Sequence, residues 1–163
     1  MPLAPQEVRT FFVSSVTYER KPVFKTVRFC ALLLDLLREH RALKRYELHE
    51  FVFMTNHIHL ILTPAPNVSL EKAMQFIKGG FSFRAERELK YKDEIWQKGN
   101  DDHRIRDAAD YARHVEYIWM NPVKAGLVAR PEQYLYSSAR LRNEVDPAPP
   151  HFQMVRAVGK ARG

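Results

Sequence analysis

The sequence predicts an α+β domain, with helices packed on one face of a largely antiparallel sheet. Three observations predict it. Segments of strand period alternate with segments of helix period in the order β-α-β-β-α-β-α. Two central strand segments are separated only by Thr55-Asn56, which is hairpin spacing. The chain of 163 residues, 45% hydrophobic and 28% charged, has the length and composition of one domain with its own core.

Residues 10–17 (TFFVSSVT) are aromatic and β-branched, as a strand requires. Lys21-Pro22 marks a turn, and residues 26–43 carry apolar side chains at helical spacing. Residues 45–54 (RYELHEFVFM) alternate as a half-buried strand does. Residues 57–63 (HIHLILT) form its partner, stopped by Pro64 and Pro66. Ser69 is placed to cap a helix beginning at Leu70, which Gly79-Gly80 should interrupt before a second piece over 81–91. Residues 103–106 suit a short strand. Asp107 should cap a helix running to about Met120, and Pro122 should end or bend it. The Pro-rich stretch 146–150 reads as a linker, and the last thirteen residues hold three basic groups and no acid. The expected organisation is a folded domain over 1–140 and a mobile, proline-containing basic tail over 141–163.

Composition excludes several classes. No stretch reaches the roughly 18 apolar residues of a membrane span, and the N-terminus lacks an apolar signal-peptide centre. A single cysteine, Cys30, excludes a disulfide framework and points to a reducing cytoplasm. A net charge of +7 favours polyanionic partners, nucleic acid first among them, although the excess is spread along the chain.

Chemistry concentrates in two places. In HIHLIL, His57, His59 and Ile61 point to one face and Ile58, Leu60 and Leu62 to the other. Two imidazoles on one face can share a divalent cation, or can sit under a helix and find hydrogen bonds. On the helix after Asp107, a turn of about 100° per residue gathers Ala108, Tyr111, Val115, Ile118 and Trp119 into an apolar sector. Asp110, Arg113, His114, Tyr117 and Asn121 fall opposite. Tyr117 is therefore either a partly exposed aromatic or a nucleophile. A phenol attacking a phosphodiester splits one hard step into two. It keeps its proton at neutral pH, so it needs a metal to polarise the phosphate and an arginine to steady the charge. Asn121, four residues on, could offer an oxygen as third metal ligand. Arg113 and His114, beside Tyr117 on the polar sector, are candidate phosphate contacts, and Lys78, Arg84 and Arg87 lie along the glycine-interrupted helix, as a phosphate-tracking surface or a solvated face. Phe81, Phe83 and Trp96 suit core packing or stacking on unpaired bases.

At these residues the sequence resembles a family. His57-Ile58-His59 is a histidine–hydrophobe–histidine (HUH) motif. Together with Tyr117 and the run from Asn121 to Val128 (NPVKAGLV) it resembles the single-tyrosine HUH transposases, REP-associated branch. The likeness spans residues 9–139, including MTNHIHL, IWQ, HRIR and YLYSS. The resemblance implies a ferredoxin-like sheet and a metal-dependent enzyme that nicks and joins single-stranded or hairpin DNA through a 5′-phosphotyrosine. It makes His57, His59 and Asn121 ligands of magnesium or manganese and Tyr117 the nucleophile, in a bacterial cytoplasmic protein. Relatives that act as dimers and as monomers leave both states open. Two alternatives stand beside this reading: a hairpin-DNA-binding module without useful catalysis, and a hydrolytic phosphodiesterase in which water replaces tyrosine.

Overall fold

Among the described residues four strands and three α-helices follow in the predicted order. They are β1 (Thr10–Val16), α1 (Val27–Ala42), β2 (Tyr46–Met54), β3 (His57–Pro64), α2 (Leu70–Leu89), β4 (Asp101–Ile105) and α3 (Ala108–Lys124). The structure, a computed structural model, describes residues 8–153. The strand order is β2-β3-β1-β4, and every neighbouring pair is antiparallel. Among the described residues no helix is long and apolar enough to cross a membrane.

The alternation along β3 decides which side each helix takes. Ile58, Leu60 and Leu62 join Val13, Phe51 and Phe53 in an apolar cluster with Leu33 and Leu37 of α1 and Ile77 and Phe81 of α2. Ile61 faces the other way, with Val52, Met54 and Ile105, and is covered by Tyr111 and Ile118 of α3. The predicted α+β antiparallel architecture is thus present, but α3 does not share a face with α1 and α2. The reason lies in the pleat. His57 and His59 point away from the Ile58 side, so a helix that covers them has to lie on the opposite face.

Two expected breaks are absent. Gly79-Gly80 does not interrupt α2. A Cβ on Gly80 would stand 3.1 Å from Leu36 Cδ1, so the glycine permits close approach to α1, and the burial of Met74, Ile77, Phe81 and Ala85 outweighs its poor propensity. Ser69 caps the helix as predicted, its side chain accepting from the Lys72 N–H at 3.0 Å. Pro122 does not end α3, because in the last turn it removes only one helical donor. The helix stops at Gly126 (φ +78), whose N–H donates to the Val123 carbonyl while the Leu127 N–H reaches back to Pro122, both at 2.9 Å. This is a Schellman close, and the φ is one that glycine adopts without strain.

The tail expected from residue 141 does not begin there. Arg41 grips Asp146 through two bonds of 2.9 and 3.0 Å. His49 Nδ1 meets the Pro147 carbonyl, and Phe152 is buried against Tyr111 with ring centroids 5.7 Å apart. Pro149 and Pro150 lead into a single 3-10 turn, Pro150–Phe152, that seats Phe152, so the prolines fix this segment rather than free it. The remainder of the expected tail, 154–163, lies outside the described residues.

One turn is costly. Glu19 (φ 55, ψ 25) and Arg20 (φ 53) both occupy the left-handed region, closed by Arg20 N–H to Thr17 O at 3.0 Å and Lys21 N–H to Tyr18 O at 3.1 Å. Each such residue costs roughly 1–2 kcal/mol.

Candidate active site

His57 and His59 stand on β3, in the middle of the sheet, opposite Val16 and Ser14 of β1 and Met54 and Val52 of β2. Their rings lie 4.8 Å apart. His59 is buried, and its Nδ1 is 2.7 Å from Ser14 Oγ. Its Nε2 is buried with no hydrogen-bond partner among the described residues. His57 Nδ1 is 2.8 Å from Asn56 Oδ1. Both imidazoles are thus engaged at Nδ1, and with protons held there both would present Nε2 lone pairs on the same face.

The electrostatics favour neutral rings. Burial, and then the charge of His57, push His59 down to about 3. Burial, and then the charge of Arg20, hold His57 below the ordinary histidine range. A neutral imidazole with an unsatisfied buried nitrogen is what a divalent cation requires, and an orphaned Nε2 is costly without one. The residues present fit a bound metal.

α3 brings Tyr117 over this pair. The Tyr117 ring meets His59 edge-on at 5.3 Å and Phe12 edge-on at 5.8 Å, and 47% of the residue stays exposed. Asp107 starts the helix, its carboxylate accepting from the Asp110 N–H at 2.8 Å, and Tyr111 and Ile118 anchor it to the sheet. Trp119 fixes its rotation by donating from Nε1 to Glu50 Oε1 at 2.7 Å. The predicted division of the helix therefore holds for Tyr111, which is buried, and Tyr117, which is not. Asn121 follows one turn after Tyr117, half-buried.

The basic residues are placed less as expected. Arg113 points to solvent and pairs with Asp110 at 3.2 Å. His114 Nδ1 lies 2.9 Å from the Asp110 carbonyl, and its ring packs on Phe12 at 4.7 Å. Lys78, Arg84 and Arg87 are carried by α2, on the face of the sheet turned away from the histidines. Lys78 is spent inside the fold, its Nζ donating to Gln97 O, Gly99 O and Asn100 Oδ1 at 3.2, 2.9 and 3.0 Å. Arg84 bonds Asp35 and Glu88, both at 3.0 Å. Arg87 pairs with Glu88 at 3.2 Å. The acids interleaved along this helix and on α1 neutralise the stripe. Of the three candidate stacking aromatics, Phe81 and Trp96 are core and Phe83 is exposed.

Sequence reasoning missed three features. Ser14 orients His59, and Phe12 is the floor shared by His59, His114 and Tyr117. Their signal was available only through strand pairing. Asp110, placed on the polar sector, is buried: His103 of β4 reaches it at 2.7 Å, and His103 and His114 stack at 4.8 Å. His103, Asp110 and His114 form a second group able to hold a metal ion. The i,i+4 spacing of Asp110 and His114 hinted at it, but β4's position did not follow from sequence.

Comparison with known proteins bears on this geometry. The sequence model of a family described as "Transposase IS200 like" matches residues 9–118. A protein of Haemophilus influenzae described as a REP-associated tyrosine transposase is 30% identical over 123 residues, covering 65% of this chain and 70% of that one. The REP-associated tyrosine transposase of Escherichia coli is 28% identical over 130 residues, covering 79% and 75%. Among solved structures, a REP-associated tyrosine transposase bound to a REP hairpin superposes with a TM-score of 0.70 at 22% identity, covering 95% of this chain and 96% of that one. A transposase of Deinococcus radiodurans gives 0.54 at 19% identity, covering 72% and 95%. These two likenesses are of fold.

Proposed function

The chain belongs to the IS200-like transposases, in their REP-associated tyrosine branch of DNA nicking and joining enzymes, and from that premise we propose that it cleaves single-stranded DNA beside a hairpin, with Tyr117 as nucleophile. The observation that carries the reading is the meeting of Tyr117 with His59, whose buried Nε2 has no partner among the described residues. The hairpin substrate is taken from the REP hairpin bound by the structural relative.

His57 and His59 would hold a divalent cation of the magnesium or manganese kind, with Asn121 as the third ligand. When bound, such a cation would supply Lewis-acid polarisation of the scissile phosphate. Ser14 and Asn56 fix the two rings and their tautomers. Phe12 and His59 confine the Tyr117 ring, so the phenol is aimed from a helix rather than a loop. Tyr117 Oη attacks phosphorus, the P–O3′ bond breaks, and the phenolic proton passes by way of solvent to the departing O3′. The products are a 5′-phosphotyrosine and a free 3′-hydroxyl, and attack by a second 3′-hydroxyl reverses the step and joins strands. The His57–His59 pair is preferred to the His103–Asp110–His114 group because the latter's imidazoles already bond the Asp110 carboxylate and carbonyl, and it is His59 that touches Tyr117.

Tyr117→Phe keeps the ring and its contacts while removing the nucleophile. Wild type and variant are mixed with labelled hairpin DNA carrying a single-stranded flank and manganese, denatured, and scored for a protein–DNA conjugate mapped by mass spectrometry. The expected result is a conjugate at Tyr117 in the wild type and none in a folded, DNA-binding variant. A conjugate on another tyrosine, or cleavage that survives in the variant, would overturn the reading. Binding without cleavage by the wild type would leave a hairpin-binding module instead.

A further inference from the structure

The turn through Tyr18, Glu19, Arg20 and Lys21 has both central residues in the left-handed region. That is the geometry for which asparagine and glycine are the easy residues. Here the positions are held by glutamate and arginine, against their conformational preference. Strain of this kind persists where the side chains serve a purpose.

The turn's position suggests the purpose. Thr17 donates both its N–H and its Oγ1 to the Asn56 carbonyl at 3.0 Å, and the Phe24 N–H reaches Thr55 O at 2.9 Å. These bonds fasten the turn to the hairpin loop immediately before His57, and Val16 pairs directly with His57. Arg20 is exposed, and among the described residues its side chain has no ion pair or hydrogen-bond partner. This separates it from Arg38, Arg41, Arg84, Arg113, Arg130 and Arg142, each of which faces a carboxylate.

We propose that Arg20 is a phosphate-binding residue of the DNA site, its guanidinium presented to the backbone of the single-stranded flank at the rim of the His57–His59 pair. The proposal rests on the reading of that pair as the cleavage site. A guanidinium offers two parallel donors to two phosphate oxygens, and a rigid turn holds it there at little entropic loss on binding. Val16, four residues before Arg20, stands opposite His57, and the bonds to Thr55 and Asn56 hold the turn against the loop that leads into that histidine, which places the exposed guanidinium at the rim of the pair.

The test uses full-length protein carrying Tyr117→Phe, so that binding is read without turnover, and a hairpin oligonucleotide with a single-stranded flank. Dissociation constants are measured at several salt concentrations. Arg20→Ala should weaken binding roughly tenfold and make the slope of log K against log salt shallower by about 0.7 to 0.9. Arg20→Lys should fall between, having the charge but not the fork. The double variant Glu19→Asn, Arg20→Gly relaxes the turn. It should melt at a higher temperature than its parent and yet bind as weakly as Arg20→Ala. Unchanged affinity and slope in Arg20→Ala, or parental affinity in the double variant, would overturn the assignment. So would a lower melting temperature with an unchanged slope, since that marks a structural role. The two readings fail separately. No conjugate in the Tyr117-containing protein, with the Arg20 effect intact, removes the cleavage reading alone. A conjugate with an inert Arg20 removes this one alone.

Discussion

Replacing Glu50 with alanine should lower the melting temperature by about 10 °C. Glu50 is 4% exposed, on the same face of the sheet as the histidines. Its Oε1 accepts from Trp119 Nε1 at 2.7 Å, Ser138 Oγ at 2.6 Å and Arg142 Nη1 at 2.9 Å. Hydrogen bonds to a charged acceptor contribute about 1.5–3 kcal/mol each, whereas an ion pair with a half-exposed arginine contributes less than about 1 kcal/mol. Ser138 keeps a second acceptor in Phe51 O at 3.1 Å, which moves the total towards the lower end, about 3–4 kcal/mol. In a domain of this size that is about 2–4 °C per kcal/mol. Scanning calorimetry measures it, with Glu50→Gln as the comparison. Glutamine keeps an acceptor oxygen and the volume, so it should lose less than half as much. Trp119 lies two residues beyond Tyr117, so freeing its indole should also reduce cleavage well below the melting temperature. A loss under about 3 °C for alanine, or equal losses for alanine and glutamine, would refute the accounting.

Three further outcomes are expected. His57→Ala and His59→Ala should each abolish manganese binding by titration calorimetry and cleavage by nicking assay, while hairpin affinity changes by less than about threefold, since phosphate contacts dominate it; full activity in either would remove the metal from the mechanism. Lys78→Met should lower the melting temperature by about 2–5 °C and leave the salt slope of DNA binding untouched, because its ammonium is occupied by Gln97, Gly99 and Asn100; a shallower slope would return Lys78 to the DNA surface. Asp146 is partly buried, which opposes ionisation, but Arg41 and the Leu48 N–H outweigh this and hold its carboxyl below the usual range. A depressed folded value means that its stabilisation is complete above about pH 4 and is lost as the pH falls below it. The gap in melting temperature between wild type and Asp146→Asn should therefore close on acidification from neutral pH, and a gap that widens would contradict the sign.

What the sequence made legible was periodic or local. The strands, both capped helix starts at Ser69 and Asp107, and the exposure of Tyr117 against the burial of Tyr111 follow from spacing within one element. Most misreadings involved a second element. Gly80 looked like a break because Leu36 on the facing helix was not visible. Lys78 and Arg84 looked like free cations because their acceptors lie 19 to 22 residues away and on α1. Asp110 looked solvated until β4 brought His103 beside it. Pro122 was misjudged for a different reason: its effect depends on distance from the helix end, and Gly126 sets that end.

The alternation of β3 between two apolar clusters has an evolutionary consequence. Substitutions among Ile58, Leu60, Leu62 and their partners on α1 and α2 change how readily the chain folds. Substitutions along α3 and beneath it change how Tyr117 is aimed. The two clusters have no side chain in common, so a substitution in one leaves the packing of the other in place even though both contribute to stability. A lineage can therefore retire the chemistry by altering α3 and keep an intact scaffold for holding DNA. The reverse path is closed, because the aim of Tyr117 is referred to a strand that only the larger cluster keeps in place.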